Sequence, residues 1–595
     1  MRSGNNACSS SPRSPPHRPR PKRSRTRSSR RTPANRGVPA EGSAILPSIS
    51  GRIRILCRGR TQMSGLLRFI PVVVLVLAAC APQATPPGPS GTAASKVGGS
   101  VTFVATTDPD TLDLHQTSNP VSSTIFGWIY EPLVYQDLDN SYKGLLSESW
   151  AVSPDSKTIT FKLRSGITFT DGTPFNADAV KFTFERLQRV GAKSPIFETF
   201  KNVASMEAKD ATTFVMNMKE PYAPIFHDLQ TAYAGILSPT AVKAANDNIG
   251  RAAVGTGPYK LKDFQTGQQI TLERNSDYKW APALFANRGA PYIEELRYRV
   301  IAEPATQLAA LDAGEADALG LRAQDIAKYA SDARFKVFDS FTFGLTYLGF
   351  DAKRPPFDNP KLRAALAKAV NKDEIVQVVF ESKLAKAQCC PIAESIQGYD
   401  PKLKDFEQKY DPAKAKTELD GLGYKPGADG MRTSPDGKPW RPVLYTTTSD
   451  THGKISTLLQ AQFKTVGVDL QIKQLESGAL LAATPKAEHD LYLNGYSWNE
   501  PDMFSLFLSC DRITSSNRVL YCNQQLEDLI RKGRTELDQA KRMQIYFDAQ
   551  KLVMQESPWQ PLYMPVSKTA VNVKIQDLRQ GQAGGLYWHD AWVKR

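Results

Sequence analysis

The sequence predicts an α/β protein of more than one domain, and three observations carry that expectation. Its 595 residues are more than one core ordinarily holds. Hydrophobic residues at 41% and charged residues at 23% lie close to globular averages, so the chain has the apolar surface a fold needs. Between Ser147 and Val190, alternation with period two passes directly into a helical period, which sets strands immediately ahead of a helix.

The chain begins differently. Residues 1–62 carry 15 Lys+Arg against one acid, Glu41, in an Arg/Pro/Ser-rich run with too little apolar surface to offset its ordering entropy. The net charge of +15 at first suggests a nucleic-acid partner. From Cys80 onward, however, bases and acids balance at 59 each, and no nucleic-acid role is expected. Residues 1–62 are read as a basic disordered segment ahead of the true start at Met63. Residues 63–79 then form a signal peptide: one positive charge followed by roughly a dozen apolar residues, too short to span a bilayer of about 30 Å. Leu77-Ala78-Ala79-Cys80 resembles the bacterial lipobox, so Cys80 is the expected lipidation site. Residues 80–97, rich in Pro, Gly, Ser and Ala, follow as a flexible linker.

The body opens on a strand, SVTFVATT, from Ser100, and Asp108, Asp110 and Asp113 after it are expected as turn and cap residues. Ile159, Phe161 and Leu163 alternate with polar residues as a half-buried strand. Ser165-Gly166 turns the chain, Ile167 and Phe169 are expected on a returning strand, and Asp171-Gly172 turns it again. Asn176 is placed as an N-cap, with Asp178 in the first turn facing the positive end of the helix dipole. Val180, Phe184 and Leu187 give that helix its apolar face. Gly255-Thr256-Gly257-Pro258 and RPPFDNP, from Arg354, are the punctuation of a chain changing domain. A helix opening within Thr446–Thr457 presents either an anion site or an ordinary Ser/Thr/Asp cap.

Catalytic motifs are missing. There is no phosphate loop, HExxH, GxSxG or paired GxGxxG, so no enzyme activity and no cofactor is expected. The six histidines are scattered singly and no CxxC occurs, so no metal is expected. Cys510 and Cys522 bracket a polar loop and are a possible disulfide in an oxidising exterior, whereas adjacent Cys389 and Cys390 bridge only with strain.

One passage says more than its periodicity. Ser149-Trp150, Ser153, Asp155, Phe161, Leu163-Arg164, Phe169 and Asp171-Gly172-Thr173-Pro174 occur in the order of a known signature. GTGPYKLKDF, YLGFDAKRPPFDNPKLRAALAKAVNKDEIV and AKRMQIYFDAQKLVMQESPWQPLYMP follow it. Together they resemble the family 5 extracytoplasmic solute-binding proteins of ABC importers, over about Val97 to Trp592.

That resemblance implies a two-lobed periplasmic-binding-protein-like fold (type II, cluster C) with an extra subdomain in the first lobe. Carried onto this chain, lobe I takes 98–140, 254–345 and 556–595, the inserted subdomain 141–253, and lobe II 346–555. It also makes GTGPYKLKDF a crossover strand. The implied role is capture of a small solute, a peptide favoured, for ABC permease subunits, on the outer face of a bacterial membrane and tethered through a lipid on Cys80. An oligosaccharide or other non-peptide solute is the alternative ligand; a sensor or an extracytoplasmic enzyme on the same fold is the alternative role.

Peptide-binding members hold the ligand's amino group with an Asp four residues before a Pro. Here Pro501 has Ser497 at that place, which forgoes the charge-assisted bond, a difference of about 1–2 kcal/mol. Glu500 and Asp502 are the neighbouring acids in a position to substitute. On the same loop Asn494, Tyr496, Trp498 and Asn499 are candidate ligand contacts, joined by Asn119 from lobe I and Tyr347 from the start of lobe II.

Overall fold

The computed structural model describes residues 95–595 apart from 514, 582 and 583. The 1–62 segment, the 63–79 signal, Cys80 and the linker up to residue 94 lie outside the described residues.

Strand β1 (Ser100–Ala105) and helix α1 (Pro120–Ile129) open the first lobe. Asn119 caps α1 by accepting a hydrogen bond from the Val121 amide at 2.9 Å. Of the aspartates between them, Asp110 is tied locally, accepting from the Thr117 and Ser122 hydroxyls, whereas Asp108 accepts from the distant Gly267 amide at 2.5 Å.

A separate four-stranded antiparallel sheet follows, with β2 (Ser147–Val152), β3 (Thr158–Leu163), β4 (Val203–Asp210) and β5 (Thr213–Met218) in the order β2-β3-β5-β4. Helix α2 (Ala177–Val190) covers it. Asn176 caps α2 through the Ala179 amide at 3.0 Å, and Val180, Phe184 and Leu187 pack on Ile159, Phe161 and Phe214. The returning strand expected at Ile167 and Phe169 does not form. β3 already has β2 on one edge and β5 on the other, so this segment keeps one bridge, Thr168 to Pro174, and buries both side chains.

Arg186 pins this subdomain to the first lobe. Its guanidinium lies fully buried and donates to both carboxylate oxygens of Asp113, at 2.9 and 2.6 Å, and to Asp247 at 2.5 Å. The Asp113 carboxyl is buried yet held below the usual carboxylate range, because the Arg186 hydrogen bonds and charge together outweigh the desolvation that raises it.

The chain re-enters the first lobe at Gly255 and Gly257. A Cβ on Gly255 would meet the Ile129 carbonyl oxygen at 2.1 Å, and one on Gly257 the Trp128 oxygen at 2.4 Å, so glycine is what lets this turn press against the end of α1. The strand that follows, β6 (Tyr259–Gln265), is an edge strand hydrogen-bonded only to β7 (Gln269–Arg274) and crosses to no other lobe. β8 (Glu295–Val300) runs parallel to β1 on one side and β9 (Ala318–Leu321) on the other.

Crossing between lobes falls elsewhere. β10 (Phe335–Phe341) continues after two residues into β11 (Gly344–Phe350), and the long β15 (Trp559–Asn572) runs antiparallel to both. The second lobe adds β12 (Val443–Thr447), helix α3 (Asp450–Thr465), β13 (Gln471–Leu475) and β14 (Leu491–Ser497). Helices α4 (Gln524–Thr535) and α5 (Gln539–Glu556) precede β15. One 12-stranded sheet results, with the path β13-β12-β14-β11-β15-β9-β1-β8-β7-β6. All seven residues of β11 are buried, because cores lie on both of its faces. Leu348 and Phe350 share one core with Ile455, Leu459 and Phe463 of α3, while Leu345 and Tyr347 share another with Tyr546 and Val553 of α5.

Candidate functional site

β1 lies between β8 and β9, and the chain passes from one side of it to the other. The carboxyl end of β1 is therefore a topological switch point, where open α/β sheets leave a crevice. A cavity of about 920 Å³ opens there. Its walls are Phe103 to Thr106 from β1 and the turn after it, Thr124, Gly127 and Trp128 from α1, Tyr278 and Phe285 from the loop before β8, and Gly585 to His589 from the C-terminal segment. Ser340 and Thr569, on the crossing strands, reach the same space, so it borders the crossing between the lobes. All the lining residues precede β11 or follow the crossing part of β15; none comes from the second-lobe sheet.

The walls are aromatic and mutually braced. Phe103 stacks on Tyr298 at 4.9 Å and meets Trp588 edge-on at 4.8 Å. The Trp128 indole donates to the Tyr298 hydroxyl at 2.7 Å. Phe285 packs on Tyr587 and His589, with centroids 5.8 and 4.8 Å away. At the back, Glu131 accepts from the Tyr278 hydroxyl at 2.6 Å, the Trp280 indole at 2.7 Å and the Thr256 hydroxyl at 2.9 Å. Burial nevertheless pushes its carboxyl up to about 7, against these three hydrogen bonds and the charge of Arg164, which lower it. His589 pairs through Nε2 with the Gly289 carbonyl at 3.0 Å, and burial lowers its pKa.

The residues expected from sequence are distributed rather than gathered. Asn119 uses its side chain as the α1 cap. Tyr347 is 3% exposed, packed on Trp559 with centroids 4.4 Å apart; it belongs to the second-lobe core and not to a solvent-facing wall. Tyr496 is likewise buried, stacked on Phe507, its hydroxyl donating to the Pro391 carbonyl. The Asn494 amide is occupied by the Tyr492 hydroxyl. Ser497 is exposed at the end of β14, in register with Gly344. Trp498 is half-buried, and its amide donates to the carbonyl of exposed Phe343 at 3.0 Å.

Asn499 marks a contact that sequence reading did not anticipate. The two lobes meet a second time, away from the crossing strands. Asn499 lies beside His227 of the subdomain, the Ala223 amide donates to the Arg534 carbonyl at 2.7 Å, and the Gln539 side-chain amide donates to the Asn140 carbonyl at 2.8 Å. Arg534 also lies over the Tyr222 ring at 5.2 Å. Glu500 and Asp502 are committed to this region and do not stand in for the missing aspartate. Glu500 pairs with buried Arg542, and Asp502 accepts from the Tyr546 hydroxyl at 3.0 Å with Arg534 3.6 Å away. Asp228, facing Glu500, is pushed up to about 7 by burial.

The helix within Thr446–Thr457 has an ordinary cap: the Ser449 hydroxyl accepts from the His452 amide at 3.2 Å. Cys510 and Cys522 are bonded to each other, as are Cys389 and Cys390. Among the described residues, no group of three or more His, Cys, Asp or Glu side chains is placed to hold a metal ion. Phe103, Trp128 and Tyr298 lie on β1, α1 and β8, whereas Tyr278, Phe285 and Trp588 sit in segments with no period, where the one available signal was the crowding in GGLYWHD, Gly584 to Asp590.

Residues 141–515 match the model of the bacterial extracellular solute-binding proteins, family 5, middle region. The glutathione-binding protein GsiB of Escherichia coli O1:K1 / APEC is 30% identical over 465 residues, covering 76% of this chain and 86% of that protein. Among solved structures, HbpA2 from Haemophilus parasuis superposes with a TM-score of 0.73 at 22% identity, over 84% of this chain and 100% of that one. The periplasmic binding protein DppA from Helicobacter pylori, in complex with peptide STSA, gives 0.63 at 25% identity over 84% and 99%.

Proposed function

Because this chain belongs to family 5 of the bacterial extracellular solute-binding proteins, which bind and do not catalyse, we propose that it captures a peptide or similar small solute between its lobes and delivers it to the permease of an ABC importer. The observation that carries this reading is the cavity of about 920 Å³ at the switch point, bordered by the strands on which the lobes hinge. Its size suits a ligand of a few residues. A solute seated against lobe I that also touches the Ser497–Trp498 edge of lobe II stabilises the closed arrangement over the open one. Moving such an equilibrium from about 1:99 to 99:1 takes roughly 5.5 kcal/mol of differential binding. No bond is made or broken; the closed shape is the signal the permease reads.

A lipid on Cys80 holds the protein at the outer face of the membrane, with residues 80–97 as the tether. The names of the relatives, glutathione-binding and peptide-complexed, support small peptide-like solutes as the first class to test. The test is small-angle scattering of the purified full chain against a solute library, with native mass spectrometry of protein from its own host. A decrease in radius of gyration with one solute class supports the reading. Unchanged profiles throughout, with nothing co-purifying, overturn it.

A further inference from the structure

The cavity's chemistry narrows the solute class, an inference that rests on the reading of this cavity as the solute site. We propose that its ligand is an uncharged molecule presenting flat apolar faces, such as a sugar ring or a peptide whose ends are blocked or joined, and not a free-ended peptide.

Two independent observations lead there. The first is what the walls lack. Among the described residues no Lys, Arg or Asp lines the cavity, and the one acid there, Glu131, is 4% exposed with three donors already on its carboxylate. Arg288, whose charge reaches Tyr278 and His589, is exposed outside the lining. Across the hinge, Ser497 stands where a charged acceptor would be, while Glu500 and Asp502 are buried in pairs with Arg542 and Tyr546. An ammonium or carboxylate entering this space would give up its hydration without gaining a partner of opposite charge.

The second observation is what the walls offer. Phe103, Trp128, Tyr135, Phe285 and Tyr587 line the cavity while only half-buried, so each keeps ring surface uncovered by protein. Between them stand neutral hydrogen-bonding groups: Thr106, Thr124, Gln230, Ser340 and Thr569. Ring faces bordered by hydroxyls and amides stack on apolar faces and bond neutral polar groups.

The test is titration calorimetry on the full chain, stripped of bound solute, with five probes. These are the free dipeptide Phe-Phe, its N-acetylated and amidated form, the cyclic dipeptide, glutathione and maltotriose. At least one neutral probe should bind tenfold or more tightly than Phe-Phe and glutathione, with an affinity that high salt leaves unchanged. Blocked or cyclic peptides leading would assign the ligand to peptides; maltotriose leading would assign it to saccharides. The double variant Phe285→Ala/Tyr587→Ala should weaken the leading neutral probe tenfold or more. Tighter binding of Phe-Phe or glutathione overturns the proposal and leaves solute binding intact. If no probe binds, the solute that co-purifies from the host decides: a neutral one supports the proposal and a charged one overturns it. No probe bound and nothing co-purified overturns both the proposal and the function it rests on.

Discussion

Replacing Arg186 with Met should release the subdomain helix from the first lobe. Arg186 is 0% exposed and its partner Asp113 2% exposed, so the substitution strands a carboxylate that water cannot reach. Removing one partner of such a buried pair costs about 3–5 kcal/mol, most of it the penalty of the orphaned charge. In the wild type the Asp113 pKa is depressed, so its contribution to stability is present above the unfolded value, about 3.9, and is lost as pH falls through the folded one. In Arg186→Met the buried carboxyl has no cation and its folded pKa rises instead. The deficit should therefore be small near pH 4 and grow toward pH 7. Because several cores share this chain, local amide exchange is a better assay than global melting. At pH 7, protection of residues 177–190 should fall by about two to three orders of magnitude, and Arg186→Met/Asp113→Leu should recover most of it. A fall of less than tenfold, or a deficit that shrinks as pH rises, would refute the reasoning.

Further predictions rest on other contacts. Asp228 has a folded pKa raised to about 7, so its own contribution to the second lobe contact is strongest below about pH 4 and weakens as pH climbs toward 7, alongside Asp502, which is raised likewise, and against His227, whose lowered pKa acts in the opposite sense; Asp228→Asn should remove its share of the opening that scattering reads over that range. Gly255→Ala places a Cβ 2.1 Å from the Ile129 oxygen, which forces the end of α1 to move; calorimetry should show stability falling by about 2 kcal/mol or more together with weaker solute binding. Cys80→Ala should shift the protein from the membrane to the soluble fraction after cell lysis, and retention at the wild-type level would refute the tether.

The subdomain was largely legible because its signals are local. An N-cap at Asn176, a 3.6-residue period through Leu187 and alternation over 159–163 need no distant partner to be read. Where reading failed, pairing partners decided. Nothing in ITF, from Ile167, reveals that both edges of β3 are taken by residues 147–152 and 213–218. Likewise GTGPYKLKDF looks like a strand and is one, but its place at the sheet edge depends on β7 alone beside it. At the site, Tyr347 and Tyr496 read as contacts because aromatic residues near a cleft are ambiguous; cores on both faces of β11 and β14 bury them. Phe285 and Tyr587 sit some 300 residues apart in the chain, and only the fold brings them together.

β15 supplies register to both halves of the 12-stranded sheet at once, yet it is nearly the last strand of the chain. Tyr563 pairs with Thr346 on one side of the crossing, and Val571 pairs with Ala318 on the other. Neither half can complete its sheet until residues 559–572 are made, and residues 585–589 must then still settle to finish the cavity. A growing chain therefore carries two unjoined halves of the sheet with open edges through most of its synthesis. Their closure is a late event, slowed by the long loops it must span. Loss of the last 37 residues, from Trp559 onward, should cripple both halves together, whereas loss of an edge strand such as β6 or β13 would spare one of them.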